Sequence, residues 1–107
     1  MDNARALQKT LHALGLCAKA RALVIGTDMV CEALRKRQKP YLVLCAADNS
    51  ENTEKKLSDK CAYYGVKRLC LPVTGTVLAG AVGKKNHVAA LAVTDENLCC
   101  LVEKTLS

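Results

Sequence analysis

The chain has 107 residues, half of them apolar, and a net charge of +6 at neutral pH. That suffices for one domain over residues 1–107 with a core that needs no metal or disulfide staple. No apolar run approaches the roughly 18 residues of a membrane span, and the start MDNARALQKT is polar and mixed in charge, unlike a secretory signal. A cytoplasmic protein without a membrane partner is expected.

Asn3 is placed to cap a first helix whose stripe is Leu7, Leu11 and Leu14, and Gly15 can end it in the left-handed conformation. ALVI reads as a short strand. After Gly26, Thr27 can cap a second helix with Val30, Ala33 and Leu34 inward, stopped before Pro40. YLVLCA has no polar interruption and reads as a strand buried on both faces. The polar ADNSENT supplies caps for a third helix with Leu57, Cys61 and Tyr64 inward, closed by Gly65. VKRLCLPV is a strand, and residues 74–83 form a short helix bearing Val77, Leu78, Ala81 and Val82. HVAALAV is the fourth strand, and TDENLCCLVEK a last helix with Leu98, Leu101 and Val102 on one side. Helix and strand alternate throughout, so helices should cover both faces of the sheet in a three-layer α/β/α sandwich. Alternation alone points to parallel strands.

The cations are uneven. Residues 1–40 hold eight Lys/Arg against three Asp/Glu, residues 41–71 five against four, and residues 72–107 three against three. The cluster Arg35, Lys36, Arg37 and Lys39 at the end of the second helix points to an anionic partner, most often nucleic acid. The competing reading is a solvated end that complements the helix dipole, as Asp28 does at the helix start.

Catalytic chemistry is hard to find. GTVLAGAVGKK lacks the hydroxyl and the spacing of a phosphate-cradling loop. His12 shares a polar helical face with Arg5 and Lys9, and His87 precedes a strand with no evident carboxylate partner. The seven cysteines, at 17, 31, 45, 61, 70, 99 and 100, contain no C-x-x-C and mostly sit in apolar patterns. They read as small core hydrophobes, with neither metal nor cofactor expected.

Three stretches, LGLCAKARALVIGTDMVCEALRKRQKPYLVLCAADNSENTEKKLSDKCAYYGV, LAGAVGKK and VAALAVTDENL, together resemble the YlxQ-like bacterial ribosomal-protein family, a branch of the kink-turn-binding ribosomal proteins. The match runs from Leu14 to Leu98, and SENTEKKLSDKCAYYGV and VTDE are its most specific parts. The resemblance implies a sandwich around a mixed, not parallel, four-stranded sheet. It further implies that a glycine turn and the helix after it, Gly26 to Glu32, enter the widened groove of a bent RNA. A later loop, around residues 74–78 and 83–87, would pack on an extruded base. Free backbone amides at a helix start bind phosphate, and RNA distorted by bulges exposes edges that regular A-form helices hide.

Kink-turn binders resemble one another in a G-x-Asn-Glu-x-x-Lys pattern from which this chain departs: Asp28, Met29 and Glu32 stand at its Asn, Glu and Lys positions. Asp28 accepts hydrogen bonds but cannot donate as an amide does. The expectation is thus a non-catalytic RNA-binding protein, associated with the ribosome or another structured RNA, with a ribosome-associated protein as a further candidate partner. Backbone contacts are expected from Lys19, Arg21, Arg35, Lys36, Lys84 and Lys85. Gly26, Thr27 and Asp28 would make the close approach, and Val77 and Leu78 the apolar contact. The alternative is a protein-interaction module on the same fold that has lost specific RNA readout.

Overall fold

A computed structural model describes residues 3–106, the side chain at position 3 excepted. In chain order the elements are α1 (Asn3–Lys19), β1 (Leu23–Ile25), α2 (Thr27–Arg35), β2 (Leu42–Cys45), α3 (Glu51–Tyr64), β3 (Arg68–Cys70), α4 (Gly75–Ala81), β4 (Ala90–Val93) and α5 (Glu96–Leu106). The sheet order is β1-β4-β2-β3. β4 runs antiparallel to both neighbours, pairing Leu23 with Val93 and Leu44 with Leu91, whereas β2 and β3 are parallel with Val43 opposite Arg68. The sheet is therefore mixed, which element alternation could not reveal, because the direction of β4 depends on how the loop before it returns.

Period-two alternation along the central strands divides the core. Leu42, Leu44, Leu91 and Val93 face Leu14, Leu78 and Val102 from α1, α4 and α5. Val43, Cys45, Ala90 and Ala92 face Val30, Leu34, Leu57 and Cys61 from α2 and α3. Every residue of β2 and β4 is buried. The unbroken apolar YLVLCA run thus reflects helices on both sides of the sheet, as the sequence indicated.

Several local assignments shift. Gly15 does not end α1, which continues to Lys19. A Cβ at position 15 would come within 3.0 Å of the Ala81 carbonyl, so this glycine lets α1 and α4 approach closely. The left-handed turn falls instead on Arg21, with φ 57. The Ala22 amide bonds to the Cys17 carbonyl at 2.9 Å and the Arg21 amide to Ala18 at 3.1 Å, the paired closure of a Schellman end. α2 is capped not by Thr27 but by Gly26, without a side-chain bond. Ser50 caps α3 by accepting from the Thr53 amide, and Gly65, at φ 70, closes it, both as the sequence suggested. In α4 the buried residues include Ala79, while Val77 is exposed; in α5 Cys99 and Val102 are buried, while Leu101 is exposed. Asn3 is itself the first residue of α1, and its side chain, on which the expected cap depends, lies outside what is described.

All seven cysteines are free thiols. Cys17, Cys31, Cys45, Cys61 and Cys99 are buried, and Cys70 and Cys100 are exposed. Burial pushes Cys61 up to about 11 and Cys99 up to about 12, the latter helped by its contact with Glu103.

Candidate functional site

Strands β1, β2 and β3 run in one direction, so their C-terminal ends share one end of the sheet with the start of β4. A helix begins just beyond each of them: α2, α3 and α4. Ligands of open α/β sheets favour this end, where helix amides point outward and the helix dipoles are positive.

The Gly26 turn lies at its centre. Its backbone, at φ 103 and ψ 146, belongs to a region that side chains disfavour, and nothing lies within 4 Å of the place a Cβ would take. The Gly26 amide bonds to the Ala90 carbonyl at 2.9 Å, fixing the turn beside the loop that leads into β4. With no side chain over the start of α2, its first-turn amides, from Thr27 onward, point outward from the turn. Asp28 and Met29 are both exposed.

That neighbouring loop, residues 83–89, is tied at both ends. Gly83, at φ 77, closes α4, and the Lys84 amide reaches back to the Ala79 carbonyl at 2.8 Å. At the far end, the Val88 amide bonds to Gly75, while Ala89 accepts from the Ala46 amide at 2.9 Å and from Asn49 Nδ2 at 3.0 Å. Between these anchors, residues 83–87 are exposed, so Lys84 and Lys85 lie on the loop whose far end meets the strand end beside Gly26, Thr27 and Asp28.

The other expected contacts do not join them. Lys19 and Arg21 precede β1, and Arg35 ends α2 with Lys36 just after it, across a helix whose nine residues span about 13 Å. The Thr94 amide bonds to Ala22 and the Tyr41 amide to Val93, so these segments meet at the opposite end of the sheet. The basic run that stood out in the sequence thus begins at the other end of α2 from the glycine turn, and of its residues Arg35 lines the α2–α3 groove that also reaches Asp28. Arg35 also pairs with Glu32 at 3.6 Å. Val77 is exposed, but Leu78 is fully buried in the α1–α4–α5 layer and has no surface to offer a ligand. Helical spacing gave both residues an apolar role without telling which one points inward.

Two features escaped the sequence. Lys56 of α3 reaches Asp28 at 3.4 Å, and with Lys60 it borders a groove of about 230 Å³ between α2 and α3. Positions 56 and 60 flank the buried Leu57–Cys61 stripe, but that they face α2 is a tertiary fact. His87, for which no carboxylate was evident, has one: its Nε2 lies 3.5 Å from Asp48 Oδ1. The Gly75 amide donates to that same oxygen at 2.9 Å and, with lesser help from the Asp48 amide and from His87, holds the Asp48 carboxyl below the usual carboxylate value. Among the described residues no cluster of His, Cys, Asp or Glu has the arrangement of a metal site.

Residues 8–103 match the model of the ribosomal protein L7Ae/L30e/S12e/Gadd45 family. The chain belongs to this family. Among its relatives, a Bacillus subtilis (strain 168) protein named RNA-binding protein YlxQ is 41% identical over 83 residues, which cover 78% of this chain and 80% of that one. A protein of the same name from Enterococcus faecium is 39% identical over 59 residues, covering 55% of this chain and 56% of its own. A solved structure of a protein of unknown function from Bacillus halodurans C superposes with a TM-score of 0.77 at 32% identity, covering 89% of this chain and 97% of that one. The Giardia lamblia 15.5kD RNA binding protein gives the same TM-score at 19% identity over 99% of this chain and 88% of its own, a likeness of fold.

Proposed function

We propose that the protein is a single-domain, cytoplasmic, non-catalytic RNA-binding protein that grips bent, kink-turn-like RNA of the ribosome or another structured RNA. The observation that carries this reading is the bond between the Gly26 amide and Ala90, which sets an open helix start beside a loop bearing Lys84 and Lys85. Amides at a helix start and lysines on a neighbouring loop together form a phosphate-binding surface. The names of the two YlxQ relatives support RNA as the ligand. Lys56 adds a cation on the α3 side, while Asp28, Met29 and Glu32 weaken base readout. Affinity should then rest mainly on phosphate contacts.

The test is a titration against a kink-turn RNA, and against the same RNA with its sheared G·A pairs disrupted, over a range of salt. The log–log slope should be on the order of −2 to −4, taking the duplex-DNA value per phosphate as the guide. Reversing Lys84 and Lys85 to Glu should weaken binding and flatten the slope more than reversing Arg35 and Lys36. The opposite ranking would move the interface to the other end of the sheet. No RNA binding at any salt would favour the protein-interaction reading, which the altered Met29 and Glu32 positions allow.

A further inference from the structure

Among the described residues, the 83–89 loop is tied to the body of the protein by its backbone anchors, by the Asn49 side chain that donates to Ala89, and by the side chain of His87. The imidazole occupies the space that a Cβ on Gly75 would need, so only glycine at position 75 admits it. Its Nε2 faces the Asp48 oxygen that also accepts the Gly75 amide, and the Gly75 carbonyl accepts from Val88, the next residue of the loop, at 3.0 Å. One carboxylate thus joins the β2–α3 turn, the start of α4 and the loop.

We infer that His87 is a positioning residue for the RNA-facing loop and couples the loop's grip on RNA to proton binding. The inference rests on the RNA-binding reading above. With the imidazole protonated, an ion pair with Asp48 holds the loop so that Lys84 and Lys85 keep one arrangement beside the Gly26 turn. With it neutral, the pair loses its charge and the loop keeps its backbone ties and the Asn49 bond to Ala89. The other charged groups of the loop and of the first turn of α3 are Lys84 and Lys85, and Glu51 and Glu54; Lys55, Lys56, Asp59 and Lys60 follow further along α3. Glu54 is engaged by Arg68 at 3.0 Å. The start of α4, from Thr74 to Thr76, carries no charge. Histidine is the side chain that ordinarily changes charge between about pH 5 and 8. His87 and Asp48 are each about half exposed, 48% and 44%, so solvent screens the pair and the effect is modest.

Two measurements on the intact chain test this. The first needs no RNA: NMR titration of the histidine rings together with the Gly75, Lys84, Lys85 and Val88 amides. Those amides should follow the His87 ring in the wild type and lose that dependence in Asp48→Asn, whose side chain can still accept from Gly75. The second is RNA affinity between pH 5.5 and 8 at fixed ionic strength. It should fall about 2- to 5-fold further in the wild type than in His87→Gln, as one half-exposed ion pair allows. Titration of the RNA and of His12 is common to both proteins and cancels. Loop amides indifferent to the His87 ring, or a His87→Gln profile equal to the wild type, overturns the inference. Absence of RNA binding at every pH, with the amides still following His87, overturns the functional reading while the proton-linked latch stands.

Discussion

Met29, 59% exposed beside the glycine turn, stands where the kink-turn pattern has a base-reading carboxylate. Asp28 contacts Lys56 and Glu32 contacts Arg35, so each acid of α2 already has a cation near it. Both pairs are exposed and contribute at most about 1 kcal/mol each. Replacing the acids therefore costs little stability and frees Lys56 and Arg35. The triple change Asp28→Asn, Met29→Glu and Glu32→Lys should create discrimination between a kink-turn RNA and its G·A-disrupted control, on the scale of roughly 1–3 kcal/mol per bidentate base contact known for DNA. Glu32→Lys alone should raise affinity for both RNAs alike, because it adds charge without reading a base. Titration at one fixed salt measures both effects, and a folded triple variant that discriminates no better than wild type removes α2 as the reader. The departures themselves were plain in the sequence. The Lys56 contact was not, because it spans two helices joined only through the fold.

At the level of the element, Gly26 decides how α2 leaves β1. Because nothing lies near the site of a Cβ, Gly26→Ala tests backbone conformation alone. Holding alanine at φ 103 and ψ 146 should cost about 1–3 kcal/mol, measurable as a lower urea midpoint with an unchanged m-value. Gly15 makes the opposite case: its φ is ordinary, and any cost of substitution there comes from the Ala81 carbonyl. The sequence marked both as glycines at helix boundaries, which was right for Gly26 and wrong for Gly15. Local pattern cannot separate a glycine needed for its dihedral from one needed for the approach of a distant helix. Arg21 shows the converse, since its Schellman bonds hold an arginine where glycine is favoured and no residue type announced the turn.

Across the whole molecule, the two apolar layers hold five of the seven sulfurs, the outcome that the spacing of the cysteines suggested. In native protein near pH 8, a thiol reagent should quickly modify Cys70 and Cys100, and the other five only on unfolding. A third fast thiol would show that one layer opens. The raised values of Cys61 and Cys99 also set an alkaline limit. In the unfolded chain these thiols ionise near 9.0, whereas the folded protein keeps them protonated to about 11 and about 12. Their contribution to stability is complete below pH 9 and is lost as pH rises through the folded values. Urea midpoints should therefore decline between pH 9 and 11, and Cys61→Ala, though less stable at pH 7, should show a smaller decline. The layers were readable from apolar periodicity and the mixed strand directions from the resemblance, whereas the strand order β1-β4-β2-β3 was in neither. The division of cations between the two ends of the sheet was not readable, because helix C-termini and strand starts come together only when the chain is folded.

The outer strands carry a further consequence. β1 and β3 are each three residues long, against four in the central pair, and β3 begins with an arginine held by Glu54. A passing chain would find only a few unpaired amides and carbonyls along either margin, too short a template for adding strands. Intermolecular sheet growth, the common route by which β-rich proteins form fibrils, thus has little to start from in the folded state. The aliphatic segments LVLC and ALAV, which would be prone to it, are the two strands paired on both sides and sealed under helices.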